Sequence, residues 1–395
     1  MVTDLSWKAF DNCDLSSSYL WTCPLHWDRR KRILLHNTPS AKLIPWAFVI
    51  FGLLFGYLCI SSVLLLGLAL FGKISLSLIQ TLVCVFLTIL AGFVGIVELA
   101  MLLFMGHATV GYNYCIKLEK ELLAVGRPLL PGKLDILGLI LNSVVALFSI
   151  YPYFSTCFAL YSEYDPLIIW RKVLLPPSSQ TSFLFEFAFH FLRLLLFFPS
   201  TLQICRLFPI LVMGSTVGCL LIRSCINAFD RTPLRIGQGH HAISAMLRNY
   251  LKLEIVLQLY YQMSSTCAST LMGVGLMLEV VVNFITLKMI HIIPMPLYLV
   301  CPSLAILIPA IIHLLLPMAV DIHGKTGKVI EKWRRHAVIS LDKKYLTRRL
   351  RSTKPLKFSA GLFGFNFYPI VRNTKATYYG AIIYYSTTAL LSVKV

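Results

Sequence analysis

The sequence predicts an all-α polytopic membrane protein with seven transmembrane helices, the N-terminus cytoplasmic and the C-terminus extracellular. Three observations predict it. The 395 residues are 57% hydrophobic and only 13% charged, with a mean hydropathy of +0.75, whereas a soluble domain carries about 25% charged residues. Apolar runs recur at lengths near the ~20 residues that cross a hydrocarbon core. The 36 Lys and Arg residues fall between those runs in a strongly one-sided way. The same composition excludes intrinsic disorder.

The first stretch, residues 1–42, is polar and aromatic and lacks the apolar core of a signal peptide, so it reads as a cytoplasmic N-terminal segment. The first run, Leu43 to Phe71, is broken from the second, Ile74 to Met105, by Gly72-Lys73. The third covers Ile136 to Leu160. The fourth, Phe183 to Ile222, is interrupted by Pro199 and Pro209 and is too long for the bilayer, so it should tilt, kink or project beyond it. The fifth, Met263 to Ile290, has an amphipathic lead-in from Ala245 to Tyr261, and the sixth is Met295 to Val320. Residues 43–320 thus hold six helices, residues 321–375 form a basic segment, and residues 376–395 hold a short seventh helix.

Orientation follows from the cations. The four segments on the N-terminal side of this topology carry 29 of them, the opposite side four, and three (Arg193, Arg206 and Lys288) lie within spans. The positive-inside rule places the N-terminus in the cytoplasm. The net charge of +19 therefore reports topology and contact with membrane lipids, not a nucleic-acid partner, because no basic helix or aromatic-interleaved strand set stands free of the apolar runs. Eleven cysteines, with no CxxC and no zinc spacing to histidine, read as packing residues, and no metal or other cofactor is expected. The reversed orientation, the absence of a DRY-like triad and the absence of an NPxxY ending oppose a G-protein-coupled receptor. No GxSxG, HExxH, HxxxxD or P-loop pattern appears, so an enzyme is not expected. A secondary transporter, which would show two similar halves with interrupted helices, and a scaffold or lipid-handling protein remain the alternatives.

The end of the chain carries a family resemblance. A basic stretch leads into Gly361-Leu362-Phe363-Gly364-Phe365-Asn366-Phe367-Tyr368-Pro369-Ile370-Val371-Arg372, followed by Thr377-Tyr378, five residues, Tyr384-Tyr385 and a prompt end. This resembles the arthropod gustatory and odorant receptor superfamily, whose last helix carries Thr-Tyr, five apolar residues and Gln-Phe. Here the second aromatic is kept and the amide is replaced by Tyr384. The resemblance implies a chemosensory receptor of the plasma membrane, a ligand-gated non-selective cation channel built as a homo- or heterotetramer. It further implies a pore lined by the last helix, an anchor made by cytoplasmic extensions of helices four to six, and an outer pocket for a small-molecule chemical ligand among helices two to six.

Within that frame the residues suggest two sites. In the last helix, Thr377, Ala381, Tyr384 and Thr388 share one face at i, i+3/i+4 spacing and would line the pore, while Tyr378, Ile382 and Tyr385 would pack on the fifth and sixth helices. Burial of these hydroxyls against other helices without any pore is the competing reading. For the ligand, Tyr151, Tyr153, Phe154, Phe187, His190, Arg193, Glu279, Asn283 and Tyr298 lie in the outer halves of the third to sixth helices, where aromatics also serve as interfacial anchors. Arg193 and Glu279 agree in depth to within a helical turn and are expected to pair, as are Glu98 and Arg206 nearer the inner interface.

Overall fold

The computed structural model describes residues 2–38, 40–124, 135–162, 164–174, 182–231, 239–293, 298–337 and 343–393. Six helices in it are long and apolar enough to cross a membrane. They are α2 (Ala41–Leu70), α3 (Leu78–Ala124), α4 (Ile136–Ser162), α6 (Phe183–Arg231), α7 (Gly239–Lys288) and α8 (Val300–Ala337). The beginning of the sixth apolar run, residues 295–297, and the last two residues of the chain lie outside the described residues. The shorter helices are α1 (Asp4–Ser16), α5 (Pro166–Leu174), α9 (Lys343–Ser352) and α10 (Arg372–Ser392), and two antiparallel hairpins complete the fold.

The long helices exceed the apolar runs that announce them. α6 has 49 residues and α7 has 50, which at ~1.5 Å per residue is about 75 Å, more than twice a hydrocarbon core. Both proline positions of α6 lie inside one continuous helix, so projection beyond the bilayer, not interruption, accommodates its length. The projections share one end of the bundle, together with the C-terminal half of α3 and the last turns of α8. That end also holds most of the cations and is called the basic end below. The second helix runs past its apolar stretch as well, because beyond Met105 the sequence turns polar, through His107, Asn113 and Lys117, while remaining helical.

The basic end has its own core. Trp333 of α8 and Tyr250 of α7 are fully buried and meet edge to face at 5.8 Å, and Phe229 of α6 packs against Trp333 at 6.0 Å. Leu346 and Leu350, one turn apart on α9, are buried in the same cluster. Lys332 of α8 bonds Asp230 of α6 at 3.1 Å across its rim. The N-terminal segment docks beside this core. Thr3 caps α1 by accepting the Ser6 N–H, and Trp7 and Phe10 stack on Trp27 of the hairpin β1 (Leu25–Asp28)/β2 (Ile33–His36). Asn113 of α3 bonds both the N–H and the C=O of Leu34, as a neighbouring strand would. In the β1–β2 turn, backbone N–H groups of Lys31 and Arg30 donate to Asp28 and hold its carboxyl below the ordinary range.

Between α9 and α10 lies the hairpin β3 (Ser359–Leu362)/β4 (Phe365–Pro369). Its two-residue turn puts Phe363 at φ 47° and Gly364 at φ 96°, both on the positive side that a type I′ turn requires, and glycine supplies one of them at no steric cost. Ser269 of α7 donates to Gly361 C=O, and Thr266 accepts the Phe363 N–H at 3.3 Å, so the hairpin is pinned to the middle of α7. α10 then leaves it, with Thr374 accepting the Val371 N–H at its start.

α10 runs parallel to α7. Tyr378 donates to Met272 C=O at 2.9 Å, Asn283 donates to Ser386 at 3.3 Å, and Lys288 donates to Leu390 C=O at 2.8 Å and to Val393 C=O, neutralising the carbonyls at the helix C-terminus. The two C-terminal ends therefore share the end of the bundle opposite the basic end.

Candidate functional site: a cavity among the long helices and the free face of the last helix

A partly open cavity of about 160 Å³ lies among α2, α3, α4, α6, α7 and α8, in the halves of those helices away from the basic end. Its wall is almost wholly apolar: Phe86 and Leu90 of α3, Phe148 of α4, Phe197 and Phe208 of α6, Leu278 of α7 and Ile308 of α8. Phe148 and Phe208 stack nearly parallel at 5.2 Å and form one side. The polar groups at the wall are few and mostly occupied. Tyr151 and Ser303 share a hydrogen bond of 2.7 Å, Ser155 donates to Pro152 C=O, and Thr201 bonds Thr156 at 3.1 Å and Phe198 C=O at 2.9 Å. A dry apolar cavity of ~150 Å³ takes a benzene-sized guest. This one suits a small aromatic or aliphatic molecule carrying at most a hydrogen-bonding group or two, and it presents no charge to an ionic one.

The nine outer-half residues singled out from the sequence do not converge here. Tyr151 alone among them lines the cavity. Phe154 and Phe187 are 70% and 65% exposed, on faces turned away from the bundle. Tyr153 meets the hydroxyl of Tyr19 at 3.2 Å and packs on Phe198, and Tyr298 donates to Thr286 C=O at 2.8 Å.

The pairing of Arg193 with Glu279 is overturned. Arg193 is fully buried, but its Nε donates to Asp165 at 2.6 Å, one terminal nitrogen donates to Ala159 C=O at 2.9 Å, and the other meets His190 Nδ1 at 2.9 Å. The partner comes from the turn between α4 and α5, where Asp165 also caps α5 by accepting the Ile168 N–H at 2.9 Å. Depth matching found two residues at the same level, whereas the turn folds inward and supplies a closer carboxylate. Glu279 instead sits buried near α10, with Oε2 lacking a hydrogen-bond partner among the described residues. Glu98 and Arg206 do not bond directly either. Glu98 accepts from Gln203 and from Trp46 Nε1 at 3.3 Å, and Arg206 donates to Trp21 C=O at 2.8 Å.

α10 presents two contrasting faces. Tyr378, Ile382 and Ser386 are buried against α7 and α8. The sequence placed Tyr385 in this stripe, but Tyr385 is half exposed. The i+4 step from Ile382 reaches Ser386, and a small hydroxyl there admits the Asn283 amide. On the opposite side Thr377, Tyr384 and Thr388 are exposed and Ala381 is half-buried, so these four lie on the side that α7 and α8 leave free. Thr377, Thr387 and Thr388 each donate to the carbonyl four residues back, which satisfies their protons within the helix and leaves oxygen lone pairs outward.

No family model and no curated relative matches the chain by sequence. Solved structures do match along its whole length. The olfactory receptor OR5 of the insect Machilis hrabei in complex with eugenol superposes with a TM-score of 0.58 at 12% identity, covering 98% of this chain and 98% of that one. A second structure of the same receptor gives 0.56 at 13% identity, covering 98% and 97%. The chain is a multi-pass helical membrane protein with the fold of an insect olfactory receptor.

Proposed function

We propose that the protein is a chemosensory receptor of the gustatory and odorant type, a ligand-gated non-selective cation channel of the plasma membrane that assembles as a tetramer of like or related subunits. The observation that carries this reading is the pairing of two features in one chain: a benzene-sized apolar cavity among the long helices, and a last helix with one buried face and one hydroxyl-bearing face left free. A transporter or a scaffold has no need of the second feature. Four copies of α10 around an axis would bring Thr377, Ala381, Tyr384 and Thr388 to a shared path, where hydroxyls lower the cost of hydration without selecting strongly among cations. The basic end faces the cytoplasm, as its share of Lys and Arg requires, and the cavity opens toward the outer leaflet.

The ligand contacts are the aromatic wall, with Tyr151 and Thr201 as the groups that orient a hydroxyl or carbonyl. The test is expression in oocytes, alone and with a related subunit, under a panel of small aromatic and aliphatic compounds. Evoked cation currents that Ser155→Phe abolishes without lowering surface expression support the reading. Uptake of a labelled compound without current would assign a transporter instead.

A further inference from the structure

Two cavities meet where the β3–β4 hairpin lies against α7. The larger, about 420 Å³, is walled by α7 from Glu254 to Ser264, by residues 354–359 and by β4. The smaller, about 100 Å³, lies between α6, α7 and α8 and is apolar apart from two serines. Ser264 and Phe358 line both, so a polar mouth and an apolar end adjoin at these two side chains, and a cleft through both passes Phe358.

Depth along α7 gives the cleft its setting. Counted from Lys288, Met272 lies ~24 Å away, Ser264 ~36 Å and Glu254 ~51 Å. A bilayer has ~30 Å of hydrocarbon within ~40–45 Å of total thickness. The apolar end is thus at the level of the acyl chains of the leaflet on the basic side, Ser264 is at the level of the headgroups, and Glu254 stands past them on the water side, where a protruding headgroup reaches. Phe365 and Phe367 stand exposed on β4, and Tyr368 reaches from the same strand to Met272 of α7, a cluster of aromatics of the kind found at that level.

The mouth has a specific chemistry. Lys354 and Lys357 are exposed cations without an ion-pair partner among the described residues, and Tyr250 fixes the first of them by donating to its carbonyl at 2.7 Å. Glu254, Gln258 and Asn366 add one carboxylate and two amides to the same wall. Two ammonium groups match a phosphate diester. A carboxylate nearby repels a second phosphate but accepts hydrogen bonds from hydroxyls.

We propose that this cleft binds an anionic phospholipid with a polyol headgroup of the phosphatidylinositol type. Its phosphate lies between Lys354 and Lys357, its ring hydroxyls meet Glu254 and Asn366, and the start of one acyl chain enters past Phe358. The site rests on the chain spanning a membrane, not on its being a channel.

The experiment uses the purified full chain in detergent, mixed with phosphatidylinositol or with phosphatidylcholine, and native mass spectrometry to count retained lipid. Phosphatidylinositol is expected to be retained selectively. Lys354→Gln with Lys357→Gln should weaken it about twenty-five-fold, each interfacial cation contributing about fivefold. Phe358→Trp, which narrows the neck and keeps both lysines, should also release the lipid while sparing binding of free inositol phosphate. Equal retention of phosphatidylcholine, or undiminished phosphatidylinositol on the double variant, overturns the proposal. Free inositol phosphate binding as tightly as the lipid would overturn the acyl-chain part and leave a soluble-phosphate site. All four readouts stand whether or not current is ever recorded.

Discussion

The ion pair between Arg193 and Asp165 yields the sharpest energetic prediction. Both side chains are essentially inaccessible, at 0% and 1% exposure, and the Nε–Oδ2 distance is 2.6 Å. No discount for solvent screening applies. Removing one partner from such a pair typically costs about 3–5 kcal/mol, because the other is left buried and uncompensated. Arg193→Leu should therefore cost about that much, since the guanidinium also gives up the Ala159 carbonyl. Asp165→Asn keeps an oxygen able to cap α5 but removes the charge, and should cost nearly as much. The double variant has no stranded charge, so its loss should fall well short of the sum, with a coupling of about 2–3 kcal/mol. Thermal inactivation of detergent-solubilised protein, followed by fluorescence-detected gel filtration, reads all four corners of the cycle. Arg193→Leu combined with Glu279→Gln should be additive within about 0.5 kcal/mol, as for groups that share no partner. Strong coupling to Glu279 and none to Asp165 would refute the assignment.

Three further outcomes follow from the same structure. Trp333→Ala empties the centre of the basic-end core and should cost about 3–5 kcal/mol, seen as a lower melting temperature and as loss of the assembled species on gel filtration. Cysteines placed singly along α10 should react with a water-soluble thiol reagent at Thr377, Tyr384 and Thr388 and be protected at Tyr378, Ile382 and Ser386, and uniform protection would remove the pore from the reading. Within the cavity, Thr201→Val should leave expression intact and shift the potency of hydroxyl-bearing ligands about three- to tenfold, one neutral hydrogen bond's worth, while leaving hydrocarbons unaffected.

Sequence patterning carried the long helices well, because ~20 apolar residues have few other fates. It carried less of the sites. Position along a span gives depth, but azimuth depends on how helices rotate against one another, so Tyr151 and Phe154, neighbours on one side of α4, read alike, yet the first lines the cavity and the second is 70% exposed. The aromatic outer ends were ambiguous for the same reason, and Phe187 and Phe154 face outward. Asp165-Pro166 was a legible signal that went unused: a cap residue followed by proline marks a helix start, and α5 begins there. The Tyr385 assignment failed because i+3 and i+4 are equally good neighbours on a helix until a partner chooses. Here the Asn283 amide chose Ser386.

The shape of α7 has a mechanical consequence. It is one helix of 50 residues without an internal proline, whereas α4, α6 and α8 all contain one or two. Along its length it touches the cavity at Leu278, grips α10 from Met272 to Lys288, holds the hairpin at Thr266 and Ser269, and enters the basic-end core at Tyr250. It acts as a driveshaft whose bearings are the other helices. A twist about its axis imposed at one station would be carried toward the others, braced by the equally proline-free α3 beside it, while the proline-bearing α4, α6 and α8 are the neighbours able to yield.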